Sequence, residues 1–178
     1  MKNEAFILGF AAYSGTGKTT LLEQLIPLFN EKGLNVSLIK HAHHDFDIDY
    51  PGKDSYRLRK AGAIETLVAS NQRWALVHEH DHEADKFPAE PNLTELITHL
   101  TTDNIDLVLV EGFKHEAIPR IELHRKILNK PYLYPNDAQI IALATDSNDE
   151  NIQALPLLDI NDPRQIMHFI IREIQQHD

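Results

Sequence analysis

The stretch "AFILGFAAYSGTGKTTLLEQL", residues 5–25, constrains the fold more than any other part of the chain. "AFILGFAA" is apolar on both faces, which predicts a buried strand of a parallel sheet covered on two sides. A turn of small residues follows. Then Lys18, two threonines and an apolar stripe predict a helix from Thr19 to Lys32, with Leu21, Leu22, Leu25, Leu28 and Phe29 facing inward. Pro27 lies inside this helix and should kink it or remove one hydrogen bond. Gly33 ends it.

Further strand patterns occur at 35–40, 65–70, 73–80, 105–113, 118–125 and 139–146. The two at 65–80 are tightly joined. "IPRIELHR" (118–125) alternates apolar and polar residues and predicts an edge strand, which makes it a candidate dimer surface. One helix is predicted from a cap at Asp54 or Ser55 to Ala61, closed by Gly62. A second follows Asn92, with Leu93, Leu96, Ile97 and Leu100 on its stripe. The last has Asp162 as cap, Pro163 in the first turn, and Ile166, Met167, Ile170, Ile171 and Ile174 inward. The charged "DHEADKFPAEP" (81–91) reads as a surface loop, because too little chain follows it for a second core. One domain over residues 1–178 is therefore expected. Strands alternating with helices imply an α/β fold, a three-layer sandwich with its sheet mostly parallel and an edge-strand extension; the loop of small residues running into Lys18 and two threonines, between the first strand and the first helix, makes it P-loop NTPase-like. Ligands of such sheets sit beyond the carboxyl ends of the strands.

The "SGTGKTT" run (14–20) falls at such a strand end and matches the second half of the Walker A pattern. Gly15 and Gly17 let the backbone bend until amides from Ser14 through Thr16 to Thr19 point at one anion, with Thr20 in the same turn. The helix start adds the positive end of its dipole. Lys18 brings a full charge to the terminal phosphates, and the Thr19 hydroxyl is a ligand for Mg²⁺. Ala12 stands where the pattern has its first glycine, a change that a strand-end position with negative φ tolerates.

Three other places bear on a nucleotide. Glu111, at the end of "LVLVEG", is either the acid beside the magnesium or an ordinary strand-end carboxylate. Gly112 beside it would let the backbone come close to a phosphate. Asp146, ending "ALATD", is placed to accept from the N1–H and amino group of guanine, or else forms a turn; the usual Asn-Lys-x-Asp run is absent. "KHAHHDFDID" (40–49) sets His41, His43 and His44 beside Asp45, Asp47 and Asp49. It reads as a metal site, as a switch loop bringing His44 and Asp45 to the nucleotide, or as a solvated loop. His78, His80 and His82 are expected to face solvent. Spacing in "KDSYRLRKAGA" puts Lys53, Arg57 and Lys60 on one helix face, a phosphate or partner contact or simply a solvated one.

Composition narrows the class. A net charge of −10 argues against a general nucleic-acid or anionic-membrane binder. No apolar run approaches the roughly 20 residues that span a bilayer, and the N-terminus lacks a signal-peptide pattern. The absence of cysteine excludes disulfides and thiolate metal sites and fits a cytoplasmic location. A small-molecule kinase and a metal-delivery GTPase using the histidine loop share these features.

Taken together, "FAAYSGTGKTTLLEQLIP", "LIKHAHHDFDIDYPGKDSYRLRKAGA", "VASNQRWAL", "DLVLVEGFKHEAIPRIEL" and "LLDIND" resemble the MobB family of molybdopterin-guanine dinucleotide biosynthesis adapter proteins, block by block and in order over nearly the whole chain. The phosphate motif alone is generic; the His-Asp block and "VEGFKHE" are distinctive. The resemblance implies a homodimeric P-loop protein that binds GTP with Mg²⁺ and hydrolyses it slowly. Its partner would be a MobA-type molybdopterin guanylyltransferase, which attaches GMP to molybdopterin; molybdopterin or a molybdoenzyme is a further possible contact. Gly15, Gly17, Lys18 and Thr19 match the family's nucleotide motif and Glu111 its "VEGF" acid, which makes Lys18 and Glu111 the candidate catalytic residues, and Thr19 and Glu111 the candidate metal ligands.

Overall fold

The computed structural model describes residues 5–42, 46–79, 91–100, 104–147, 152 and 155–177. In chain order its elements are β1 (Phe6–Ala12), α1 (Lys18–Glu31), β2 (Val36–Lys40), α2 (Asp54–Lys60), β3 (Glu65–Ala69), β4 (Trp74–His78), α3 (Leu93–Thr98), β5 (Leu107–Glu111), β6 (Arg120–His124), β7 (Ile140–Thr145), β8 (Leu157–Asp159) and α4 (Pro163–His177). Two compact units result, one from residues 1–41 with 92–178, the other from 42–91.

The first unit holds a six-stranded sheet in the order β2-β5-β1-β6-β7-β8, with every neighbouring pair parallel. Side chains alternate across it. On β5, Leu107 and Leu109 join a cluster with Leu21, Leu25 and Phe29 of α1 and Ile166 and Ile170 of α4. Val108 and Val110 point the other way, to Ile39, Phe113 and Leu93 at the start of α3. Helices on both faces make three layers, as the doubly apolar strands require. Each buried Leu, Ile or Phe contributes roughly 1.5–3 kcal/mol.

Helix ends follow the sequence signals. Pro27 sits within α1, which still runs on to Glu31. Beyond it the N–H groups of Gly33 and Leu34 donate to the Asn30 and Phe29 carbonyls, closing the end. The Asn92 side chain accepts from Glu95 N–H to cap α3. The Asp162 carboxylate accepts from the N–H groups of Arg164 and Gln165 to cap α4. Among the described residues no helix is long and apolar enough to cross a membrane.

The strand at 118–125 is not an edge. β6 lies between β1 and β7 and all five of its residues are buried. Its alternation suggested water on one face, but Arg120, Glu122 and His124 are instead satisfied by internal partners. A dimer surface there is thereby ruled out. The edges are β2 and β8, and β8, only three residues long, has no legible strand signal.

The 42–91 unit contains α2 and an antiparallel hairpin that pairs Glu65 with His78, Leu67 with Leu76 and Ala69 with Trp74. Asp54 is the first helical residue rather than the cap; Lys53 occupies that position without a side-chain bond. Asp54 still favours the helix by sitting at its positive end. The hairpin exposes Leu67, Trp74 and Leu76, which share one face. His80, His82 and the loop 81–90 lie outside the described residues.

Candidate functional site

The loop between β1 and α1 is held from within. The Thr16 hydroxyl donates to the Tyr13 carbonyl at 2.7 Å, and Thr16 N–H reaches the same oxygen at 3.3 Å. Thr16 is thus a buried strut of the loop rather than a side-chain ligand. Gly15 and Gly17 adopt φ of 83° and 93°, which a Cβ would strain. Ala12 needs no glycine, because it is a ladder residue of β1 opposite Leu123. Gly17 is the N-cap of α1 and no side chain caps the helix. The first helical bond runs from Leu21 N–H to the Gly17 carbonyl at 3.0 Å. The N–H groups of Lys18, Thr19 and Thr20 therefore have no helical acceptor, and the dipole adds positive potential where they point. Ser14, Thr19 and Thr20 are exposed there. Such a terminus takes up an anion, phosphate above all.

Beside the loop, Glu111 is mostly buried and joins two cations. Lys18 Nζ lies 3.1 Å from Oε1 and Lys40 Nζ 3.6 Å from Oε2. Two lysines on one carboxylate leave a local surplus of positive charge in an acidic chain, which a polyphosphate would offset. The Thr19 hydroxyl and the Glu111 carboxylate are hard oxygen donors of the kind Mg²⁺ prefers. Gly112, at φ 93°, makes room for a neighbouring strand: a Cβ there would fall 2.6 Å from the Cβ of His41. The N–H of His41 donates to the Glu111 carbonyl at 2.8 Å, and its ring packs against Phe113 at 5.3 Å. The missing side chain lets β2's end seat against β5.

On the other side of the loop, at the ends of β6, β7 and β8, three polar side chains meet. Arg125 donates from Nε to the Thr16 carbonyl and from Nη1 to Asn161 Oδ1, each at 3.0 Å. Its Nη1 also lies 3.5 Å from Asp146 Oδ2. Asp146 Oδ1 accepts from Lys126 N–H at 2.8 Å, so its carboxylate bonds a residue twenty positions earlier rather than its own turn. Arg125 and Asn161 escaped the sequence reading, as did Lys40. The misread edge strand hid Arg125, since only a central β6 brings its end beside the phosphate loop.

Two buried charges of β6 shape the floor behind the site. Arg120 Nη2 donates to the carbonyls of Phe113, Lys114 and Glu116, and Nη1 pairs with Asp137 at 3.3 Å. It fixes the loop that follows Glu111. Gly9 leaves room for the arginine stem, since a Cβ would lie 3.1 Å from Arg120 Cγ. Glu122 accepts from the N–H groups of Leu133 and Tyr134, each at 2.8 Å. Burial pushes its carboxyl above the usual range, and the two N–H bonds partly oppose the shift.

Other predicted residues are not brought to this row. His43, His44 and Asp45 lie outside the described residues. In the 42–91 unit, Asp47 and Glu79 both pair with Arg59, which is buried and was not singled out from the sequence. The Arg59 hydrogen bond holds the Asp47 carboxyl below its usual range, and the two acids hold the guanidinium charged. His78 is exposed and lies 3.0 Å from Glu65. Among the described residues no three metal-ligating side chains converge.

Comparison with known proteins shows the family. The model of the family "MobB: Molybdopterin guanine dinucleotide synthesis protein B" matches residues 7–146. The molybdopterin-guanine dinucleotide biosynthesis adapter protein of Escherichia coli (strain K12) is 47% identical over 173 residues, covering 97% of this chain and 95% of that one. The protein of the same name from Haemophilus influenzae is 43% identical, covering 96% and 90%. A crystal structure of molybdopterin-guanine biosynthesis protein B superposes with a TM-score of 0.72 at 25% identity, covering 96% of this chain and 99% of that one. The MobB homologue from Bacillus stearothermophilus shares the fold with a TM-score of 0.68 at 22% identity, covering 96% and 98%. With the family model spanning the sheet from β1 to β7 and relatives matching almost end to end, the chain belongs to the MobB family.

Proposed function

We propose that this protein is an adapter in molybdopterin-guanine dinucleotide biosynthesis that binds GTP with Mg²⁺ and supports the attachment of GMP to molybdopterin by a MobA-type guanylyltransferase. One observation carries the nucleotide: uncapped amides at Lys18, Thr19 and Thr20 beside a lysine already paired with a strand-end glutamate. The names of the relatives support the pathway. When phosphate arrives, Lys18 exchanges the Glu111 carboxylate for phosphate oxygens. Glu111, left with Lys40 on its other oxygen, would then be able to hold a cation. Magnesium, held by the Thr19 hydroxyl and the Glu111 carboxylate, would neutralise the phosphate oxygens.

Slow hydrolysis at most fits the cations present. Arg125, the arginine against the loop, already donates to the Thr16 carbonyl and to Asn161, which commits two of its N–H groups to protein oxygens rather than to a phosphate. The exposed Leu67, Trp74 and Leu76 support a homodimer, because a two-stranded ribbon gains stability when its apolar face is covered.

Calorimetric titration of GTP with Mg²⁺ tests the reading. Binding at micromolar affinity or tighter is expected, with a weaker Mg²⁺ dependence in Glu111→Gln. No heat with any purine triphosphate would overturn it.

A further inference from the structure

The site forms a row that follows the strand order. Lys40 ends β2, Glu111 ends β5, and the phosphate loop follows β1; Arg125, Asp146 and Asn161 follow β6, β7 and β8. If the nucleotide reading above holds, Lys18 and Glu111 fix the terminal-phosphate end over β1 and β5. A nucleotide is linear, so its nucleoside must lie the other way, over β6, β7 and β8.

What stands there is a donor and acceptor set of defined sense. Arginine has only donors. The Asn161 atom 3.0 Å from Arg125 Nη1 is therefore the amide oxygen, and the amide nitrogen is turned away from the arginine with two N–H groups to give. Asn161 is exposed, so those donors are accessible. The Asp146 carboxylate accepts one bond from Lys126 N–H at Oδ1, and each oxygen keeps a second lone pair. A carboxylate that accepts, beside an amide forced to donate, complements guanine, which offers N1–H and an amino group next to the acceptor O6. Adenine offers an amino group where guanine has O6 and would set donor against donor.

We propose that Asn161 is a purine-reading residue that donates to the guanine O6, and that Arg125 is the positioning residue that fixes the sense of its amide while tying the reading end to the Thr16 carbonyl of the phosphate loop. Neither contact needs Arg125 to touch the nucleotide. The same guanidinium holds Asn161 and the loop carbonyl, so base recognition and loop geometry share one anchor.

The test is competition of GTP, ATP and inorganic tripolyphosphate against a fluorescent GTP analogue, in wild type, Asn161→Ala, Asn161→Asp and Arg125→Lys. Tripolyphosphate reports the phosphate loop without a base. In Asn161→Ala the GTP-over-ATP preference should fall about tenfold, the worth of one hydrogen bond with its unpaired partner, while tripolyphosphate binding stays unchanged. Asn161→Asp, which places an acceptor against O6, should lower the preference further. Arg125→Lys, with no fork to span two oxygens, should lower it in the same sense with the melting temperature preserved. A preference unaltered in both Asn161 variants overturns the proposal and leaves the phosphate-loop reading standing. A wild type that binds tripolyphosphate without preferring guanine also overturns it. A wild type that binds neither nucleotide nor tripolyphosphate overturns both.

Discussion

In the sheet unit, the charges of Arg120 and Glu122 are buried among a large apolar core and are met mostly by backbone: three carbonyls for the arginine, two N–H groups for the glutamate. In the 42–91 unit, Arg59 is the one buried residue among those described, and it is met by two carboxylate side chains, Asp47 and Glu79. The apolar residues of that unit, Leu67, Trp74 and Leu76, face outward. The difference teaches what each charge is for. Where burial already specifies the fold, a buried charge pins loops at the sheet's functional end. Where burial is scarce, the ion pairs themselves join loop, helix and hairpin.

If the sheet unit is a preformed framework, removing a ligand-facing charge should leave it standing. Lys18→Ala should lower GTP affinity about 100-fold or more, because charge-assisted contacts to phosphate are among the strongest a side chain makes. Its melting temperature should match wild type. Unchanged GTP binding by calorimetry would remove the lysine from the site, and a collapse of the melt would show that the framework leans on it.

Glu122 probes the same framework from inside. Glu122→Gln keeps the size but sets an NH₂ group against one of two backbone donors, so a loss of about 1–3 kcal/mol is expected in urea unfolding. The loss should be global, shifting the midpoint rather than opening one segment. A neutral result would mean that the 133–134 turn has other support.

Arg59 separates the two units. Arg59→Ala should raise amide exchange about tenfold or more across α2 and the β3–β4 hairpin while α1, α4 and the sheet keep their protection. Global loss of protection would break the comparison; protection retained in the hairpin would show that the ion pairs do not hold it.

Much of this was legible in the sequence, for a local reason. The glycine loop between β1 and α1 shows in residues 14–20 because positive φ at Gly15 and Gly17 and a lysine at a helix start are written within seven residues. Apolar strands and capped helices are equally local, as at Asn92 and Asp162. The partners are not. Arg125 reaches a carbonyl 109 residues away, and nothing near either residue announces it. β6 was misread because a buried arginine, glutamate and histidine look like a wet face until their acceptors and donors are placed. Arg59 escaped the sequence reading because its two acids lie 12 and 20 residues away. Gly112 was read as special, correctly, but its neighbour is His41.

The finest distinction concerns Asp47 and pH. The Arg59 hydrogen bond comes first in lowering its carboxyl, a bond from Asp49 N–H adds to it, and partial desolvation opposes both. A lowered folded value means that the contact stabilises fully above the unfolded value, about 3.9, and is lost as pH falls through the folded one. The window therefore lies below about pH 4. Many carboxylates titrate there, so the informative quantity is the difference between wild type and Asp47→Asn. At pH 6 the variant's 42–91 segment should exchange amides about threefold faster, a modest effect because Asp47 is partly exposed and Glu79 still holds Arg59. As pH falls below about 4 the gap should narrow, since the wild-type carboxyl is then increasingly protonated. A gap that stays constant down to the lowest pH at which both proteins remain folded would mean that Asp47 acts by shape and hydrogen bonding rather than charge, and would narrow the contrast between the two units to Glu79 alone.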